Sequence, residues 1–213
     1  MWRIAIRLAG EGGQGVGLAA AVLAEAALAS GHEVTMLQSY GPEARGGASS
    51  ADVVISDCQV ANPKVLEADL LLMLNQTAWN KFARPPWRTP ATIVVVEEGR
   101  VHPDGPTGNP TTGLLALPFE RLAREELREK VAANMLAVGA VGALVGCLTS
   151  TSLVEAALAR SPAEFREVNR QAIQRGWQLA AGNAELGALR GMLAHVGAPV
   201  MKGIDEAVLV GTP

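Results

Sequence analysis

The sequence predicts an α/β domain. Three observations carry that reading. A strand-like start runs straight into a glycine-rich loop and an Ala/Leu helix. Further short apolar runs follow, separated by Gly/Pro-rich turns, and the chain is helical in pattern after Pro118. At 213 residues, 49% hydrophobic and 18% charged, it is long enough for one well-buried core and globular in composition. Aromatics are only 4%; Ala, Gly, Val and Leu fill most apolar positions, so elements can approach one another closely.

Residues 3–8 alternate and read as a strand, followed by the Gly-rich stretch Ala9 to Gly17. Leu18 to Ser30 reads as a helix ending at Gly31, and Glu33 to Gln38 as a second strand. Strand, glycine loop, helix and strand in that order form a βαβ unit, for which parallel pairing and a right-handed crossover are expected. A second Gly-rich loop covers Ser39 to Ala48. Strands are expected at 51–56, 69–74 and 92–96, with a short helix over 75–83 and an irregular loop over 99–113. Helices follow at 119–129, 132–148, 152–160 and 162–183, the last with Ser161 as N-cap and Pro162 at its first position. Residues 1–183 are taken as one domain and 184–213 as a peripheral tail.

Composition excludes several roles. The net charge is -3 with no basic stripe, so a nucleic-acid partner is not expected. No signal peptide is read at the N-terminus, and the uncharged run Val131 to Leu148 is short, Gly/Ala-rich and interrupted by Asn134. A cytoplasmic protein without a membrane span is the expectation. Cys58 and Cys147 stand apart, and His32, His102 and His195 lack metal-ligand spacing, so no metal site is assigned. Glu97 and Glu98 are adjacent on a strand and point to opposite faces, which argues against a shared catalytic pair. No catalytic residue is assigned to this chain.

Two loops carry the candidate chemistry. Gly10, Gly12 and Gly15 fit G-x-G-x-x-G between a strand and a helix, where bare backbone N–H groups favour an anion. The alternative is a tight turn needing glycine for its angles alone. A dinucleotide site wants an acidic residue at the end of the second strand, where Gln38 and Ser39 stand instead. A P-loop fails too, since no Lys-Ser/Thr follows the glycines. The second loop, Ser39-Tyr40-Gly41-Pro42-Glu43-Ala44-Arg45-Gly46-Gly47, is expected at the same carboxyl edge. There Arg45 offers phosphate a permanent forked charge, and Gly46 and Gly47 leave backbone donors open. Its alternative is a solvated turn with Arg45 paired to Glu43.

Gly12-Gly13-Gln14-Gly15-Val16 with its Ala-rich helix, together with the second loop, resembles the gamma subunit of 2-oxoacid:ferredoxin oxidoreductases, in particular the 2-oxoglutarate and branched-chain types. Asn62-Pro63-Lys64, Ala68-Asp69, Leu74-Asn75-Gln76, Asn134-Met135 and Asn169 resemble it as well, over roughly residues 3–180. The resemblance implies a three-layer α/β/α fold with a mostly parallel or mixed sheet and a helical C-terminal part. It implies a subunit that helps convert a 2-oxoacid, coenzyme A and oxidised ferredoxin into acyl-CoA, carbon dioxide and reduced ferredoxin. Coenzyme A would meet Gly10, Gly12, Gly13, Gln14, Gly15, Ser39, Arg45, Gly46 and Gly47. Thiamine diphosphate and [4Fe-4S] clusters would belong to partner subunits: alpha, beta and, in some complexes, a ferredoxin-like delta. The sequence leaves open a homodimer of the isolated chain, a stand-alone nucleotide-binding oxidoreductase and a purely structural assembly subunit.

Overall fold

The computed structural model of the chain describes residues 2–39, 48–103 and 113–182. The expected tail at 184–213 and most of the second loop, with Arg45, Gly46 and Gly47, lie outside the described residues. Six strands form one sheet: β1 (Arg3–Glu11), β2 (Glu33–Ser39), β3 (Ala48–Ser56), β4 (Leu70–Met73), β5 (Ile93–Glu97) and β6 (Leu114–Leu117), in the order β2-β3-β1-β4-β5-β6. β3 runs antiparallel to both its neighbours, and β1, β4, β5 and β6 are mutually parallel.

The sheet is mixed, as the resemblance implies, but the expected direct parallel pairing of the first two strands is not found. β1 and β2 point the same way but do not pair; β3 lies between them. The reason is chain length. Residues 40–47 joining β2 to β3 suffice for a hairpin-type return, whereas a parallel crossover needs a dozen or more residues.

Alternation along the strands sorts the core into two layers. Ile4, Ile6, Leu8, Val53, Ile55, Leu70, Leu72, Ile93 and Val95 face α1 (Val16–Ala29), α3 (Phe119–Glu125), α4 (Ala133–Val145), α5 (Ser150–Arg160) and α6 (Arg166–Ala181). Ala5, Val54, Leu71, Met73, Val94 and Val96 face the other way, under α2 (Gln76–Phe82) and the turns around Val65, Ala83 and Val101. Three layers result, thick on one side and thin on the other. At the start of β4, Asp69 accepts the Ala5 N–H at 2.7 Å and returns its own N–H to the Ala5 carbonyl at 2.8 Å, seating β4 on β1.

Two further differences have local causes. β6 falls where the sequence suggests no strand: four residues between Gly113 and Pro118 carry no β-branched or alternating signal. Ser161 does not cap the last helix. Its hydroxyl donates to the Ala157 carbonyl at 2.7 Å and accepts from buried Asn169 at the same distance, closing the corner between α5 and α6. α6 starts later, at Arg166, after a 3-10 turn at Ala163–Phe165. Among the described residues, no helix is long and apolar enough to cross a membrane.

Candidate functional site

After β1 the chain turns to one face of the sheet with α1, and after β4 to the other with α2. β1 and β4 are neighbours, so their carboxyl ends flank a topological switch point, where open α/β sheets leave a crevice for ligands. A cavity of about 420 Å³ opens there. Glu11, Gly13 and Gln14 form one wall, Leu74 and Glu97 the strand ends, and Lys130, Ala133 and Asn134 the opposite rim.

Each sequence-flagged glycine has its own place. Gly10 belongs to β1, and a Cβ there would stand 2.7 Å from the Gln14 side chain and 3.0 Å from that of Val16; its part is close packing under the turn. Gly12 is exposed with open space where a Cβ would go. Gly13 and Gly15 take positive φ, 90° and 71°, which L side chains adopt only at a cost. A Cβ on Gly15 would also strike the Asn134 side chain, so this glycine lets α1 and α4 start side by side.

Gln14 is a strap. Its Oε1 accepts the Glu11 N–H at 2.7 Å, and its Nε2 donates to the Leu74 carbonyl at 3.4 Å, tying the turn to the end of β4. Ser39 ends β2 opposite Ser50, the residue Ala9 also faces, while Ala48 pairs with Glu11. Both ends of the second loop are therefore anchored beside the first loop, at one sheet edge. Neighbouring Gln38 donates to the Gly17 carbonyl at 3.3 Å, so the position where a dinucleotide site carries its acid serves α1 instead.

The start of α1 and that of α4 both adjoin the cavity; neither has a side-chain cap nor an acidic residue in its first turn. The first turn of α1 leaves N–H groups without intrahelical partners, and both helix dipoles favour an anion there, whereas the Ala133 N–H that opens α4 already donates to the Lys130 carbonyl. Lys130 adds a full charge and forms no ion pair among the described residues. The sequence alone offers Asn134 as a break in an apolar run and as part of the resemblance, and Glu97 as half of a carboxylate pair set on opposite strand faces; it does not single out Lys130. Nothing in the local pattern around 130 marks a site 115 residues from Gly15 in the chain.

Glu97 ends β5, 3% exposed. Its carboxylate accepts the Glu120 N–H at 3.0 Å, capping α3, and the Gly99 N–H at 3.5 Å. Arg100 holds the Glu120 carboxylate at 3.1 Å, and Arg121 faces exposed Glu98 at 3.7 Å. Burial pushes Glu97 up to about 7, against the opposing pull of its two backbone donors. A carboxyl raised in the fold contributes full stability below its unfolded value near 4.5 and loses it as pH climbs through 7. The thermal midpoint is expected to fall from pH 5 to pH 8, and by less in Glu97→Gln; parallel falls in calorimetry would contradict this.

Residues 5–179 match the family model described as pyruvate ferredoxin/flavodoxin oxidoreductase. The chain belongs to this family. It is 38% identical over 176 residues to the 2-oxoglutarate synthase subunit KorC of Methanocaldococcus jannaschii, covering 82% of this chain and 92% of that one. The crystallised gamma subunit of a keto/oxoacid ferredoxin oxidoreductase from Geobacter sulfurreducens is 34% identical, with a TM-score of 0.73 over 85% of this chain and 98% of that one. A 2-oxoglutarate:ferredoxin oxidoreductase from Magnetococcus marinus shares the fold at 23% identity and TM-score 0.72, over 87% of this chain and 32% of that one. The fold thus occurs both in separate gamma-type chains somewhat shorter than this one and within a longer chain.

An iron–sulfur cluster does not fit this chain by itself. Such a cluster takes about four thiolates. Only two cysteines exist here, Cys58 beside Ser56 and a buried Cys147 whose thiol burial pushes to about 11.

Proposed function

We propose that this chain is the coenzyme A-handling gamma-type subunit of a 2-oxoacid:ferredoxin oxidoreductase complex. Its partners are alpha and beta subunits, with or without a ferredoxin-like delta, which hold thiamine diphosphate and the clusters. The complex converts a 2-oxoacid, coenzyme A and oxidised ferredoxin into acyl-CoA, carbon dioxide and reduced ferredoxin. The carrying observation is the crevice of about 420 Å³ at the β1/β4 switch point, faced by the glycine turn and the start of α4.

Within this reading the chain performs no bond chemistry. Backbone N–H groups of Gly12, Gly13 and Gly15 and the charge of Lys130 receive phosphate; Gly10 and Gln14 set the turn's shape. From the adjoining second loop, anchored at Ser39, Arg45 adds its guanidinium, and Gly46 and Gly47 leave backbone donors open beside it.

In the assembled complex, Lys130→Ala and Arg45→Ala are each expected to raise the KM for coenzyme A about tenfold, the worth of one charge-assisted contact. The KM for the 2-oxoacid stays within about twofold of wild type, a difference too small for a lost contact. Steady-state titrations of both substrates check this. An effect on the 2-oxoacid instead would contradict the assignment, and unchanged KM values with a weakened complex would indicate a purely structural subunit.

A further inference from the structure

An anion crevice with a buried carboxylate in its wall poses a problem of charge. Glu97, 3% exposed, forms part of the partition between the crevice and a second cavity of about 590 Å³. Its backbone donors, Glu120 N–H and Gly99 N–H, hold the carboxyl in place in either protonation state.

The surrounding charges do not neutralise it. From its own turn come Glu98 and Arg100, and Arg100 is engaged by Glu120 at 3.1 Å. Helix α3 contributes Glu120, Arg121, Arg124 and Glu125 around the second cavity. Across the first stand Glu11 and Lys130. A space of about 420 Å³ is about 9 Å across if round, no more than about one Debye length at 0.1 M salt. An ionised Glu97 therefore repels any anion lodged there, and a neutral one does not.

We infer that guest binding in this crevice is coupled to protonation of Glu97: the neutral carboxyl admits the phosphate-bearing guest, and the carboxylate turns it away. The inference rests on the coenzyme A reading above. The balance is one proton taken from solvent onto the carboxylate oxygen for each anion bound at a pH above the group's own. Burial, which pushes Glu97 to about 7, populates both forms near neutrality. If only the neutral form binds, the competent fraction falls from about 0.9 at pH 6 to about 0.1 at pH 8, and the apparent dissociation constant rises about tenfold.

The test uses the assembled complex. The KM for coenzyme A is measured from pH 6 to pH 8 in wild type and in Glu97→Gln, whose amide oxygen still accepts the Glu120 N–H. Coenzyme A's own titrations are common to both, so the ratio of wild type to variant reports Glu97. That ratio is expected to climb about tenfold; a flat ratio overturns the inference. Calorimetry of coenzyme A binding to the wild-type complex, in two buffers of different ionisation enthalpy at pH 7.5, needs no variant. Net proton uptake supports the coupling, and its absence refutes it. If Lys130→Ala raises the KM for coenzyme A while the ratio stays flat, only the proton coupling fails. If Lys130→Ala changes nothing, the coenzyme A reading fails and the coupling falls with it.

Discussion

Asp52→Ala is expected to lower the unfolding free energy by about 3–5 kcal/mol, the usual result of stranding one member of a buried ion pair. Arg7 on β1 and Asp52 on β3 are direct register partners, 5% and 4% exposed. Two parallel contacts of 2.7 Å join them, Nε to Oδ1 and Nη2 to Oδ2. The same pair holds the chain at Val65, whose carbonyl accepts from Arg7 Nη2 and whose N–H donates to Asp52 Oδ2, both at 3.1 Å. The Phe82 and Trp87 rings lie 5.1 and 5.3 Å from the guanidinium carbon and complete the enclosure. An arginine cannot shed its proton to escape, so removing Asp52 leaves a buried charge with no counter-charge and only the Val65 carbonyl as acceptor. The urea midpoint of the purified chain reads the loss. Arg7→Met with Asp52→Leu should recover most of it, because a well-packed apolar pair often matches a buried ion pair. A loss below about 1 kcal/mol in Asp52→Ala would mean that the pair is solvated in solution.

That pair also shows where sequence reading stops. Ile4, Ile6 and Leu8 announce one buried face of β1, and Arg7 between them looks like a residue for solvent. Only the arrival of β3, α2 and the turn at Val65 covers the second face. Strands β4 and β5 were legible because their apolar runs suit burial on both faces, and α1 because its Ala/Leu pattern ends at Gly31 in the left-handed region. Neither strand order nor the insertion of β3 between β1 and β2 is written in a local period; both follow from which connection can span which gap. Ser161 illustrates the same limit at one residue, since its hydroxyl is claimed by Ala157 and Asn169.

The site divides along the same line. Gly13, Gln14 and Gly15 were legible because a turn between strand and helix must be built from such residues, although Gln14 works through two backbone groups as a strap. Lys130, Asn134 and Glu97 reach the crevice through sheet order and helix packing, and of the three only Asn134 belongs to a short motif, one that does not itself place it beside Gly15. Ser39 marks the edge at which the second loop is anchored, beside Glu11 and its partner Ala48.

The crossing of α4 and α6 yields the other large effect. In an exposed helix interior Gly→Ala stabilises by about 0.5–1 kcal/mol, because alanine loses less backbone entropy on folding. Gly176→Ala is expected to reverse that sign, lowering stability by about 3 kcal/mol or more. A Cβ at 176 would stand 2.0 Å from the Leu136 carbonyl oxygen and 2.8 Å from its carbon; one at Gly139 would stand 2.2 Å from the Ile173 oxygen. These obstacles are backbone on both helices, so relief requires the axes to separate. Gly142 is the internal comparison: its Cβ would meet Leu153 Cδ1 at 2.3 Å, the end of a side chain that can turn, so Gly142→Ala should be milder. Urea unfolding of the three alanine variants ranks them, and a Gly176→Ala variant as stable as wild type would refute so close a crossing. The damage should reach the crevice as well. α4 begins beside Asn134, which already fills the space over Gly15, so moving the helix at Leu136 shifts the crevice rim. Gly176→Ala should therefore raise the KM for coenzyme A under conditions where the variant remains folded, whereas Asp52→Ala, acting on the opposite layer, should leave that KM nearer to wild type.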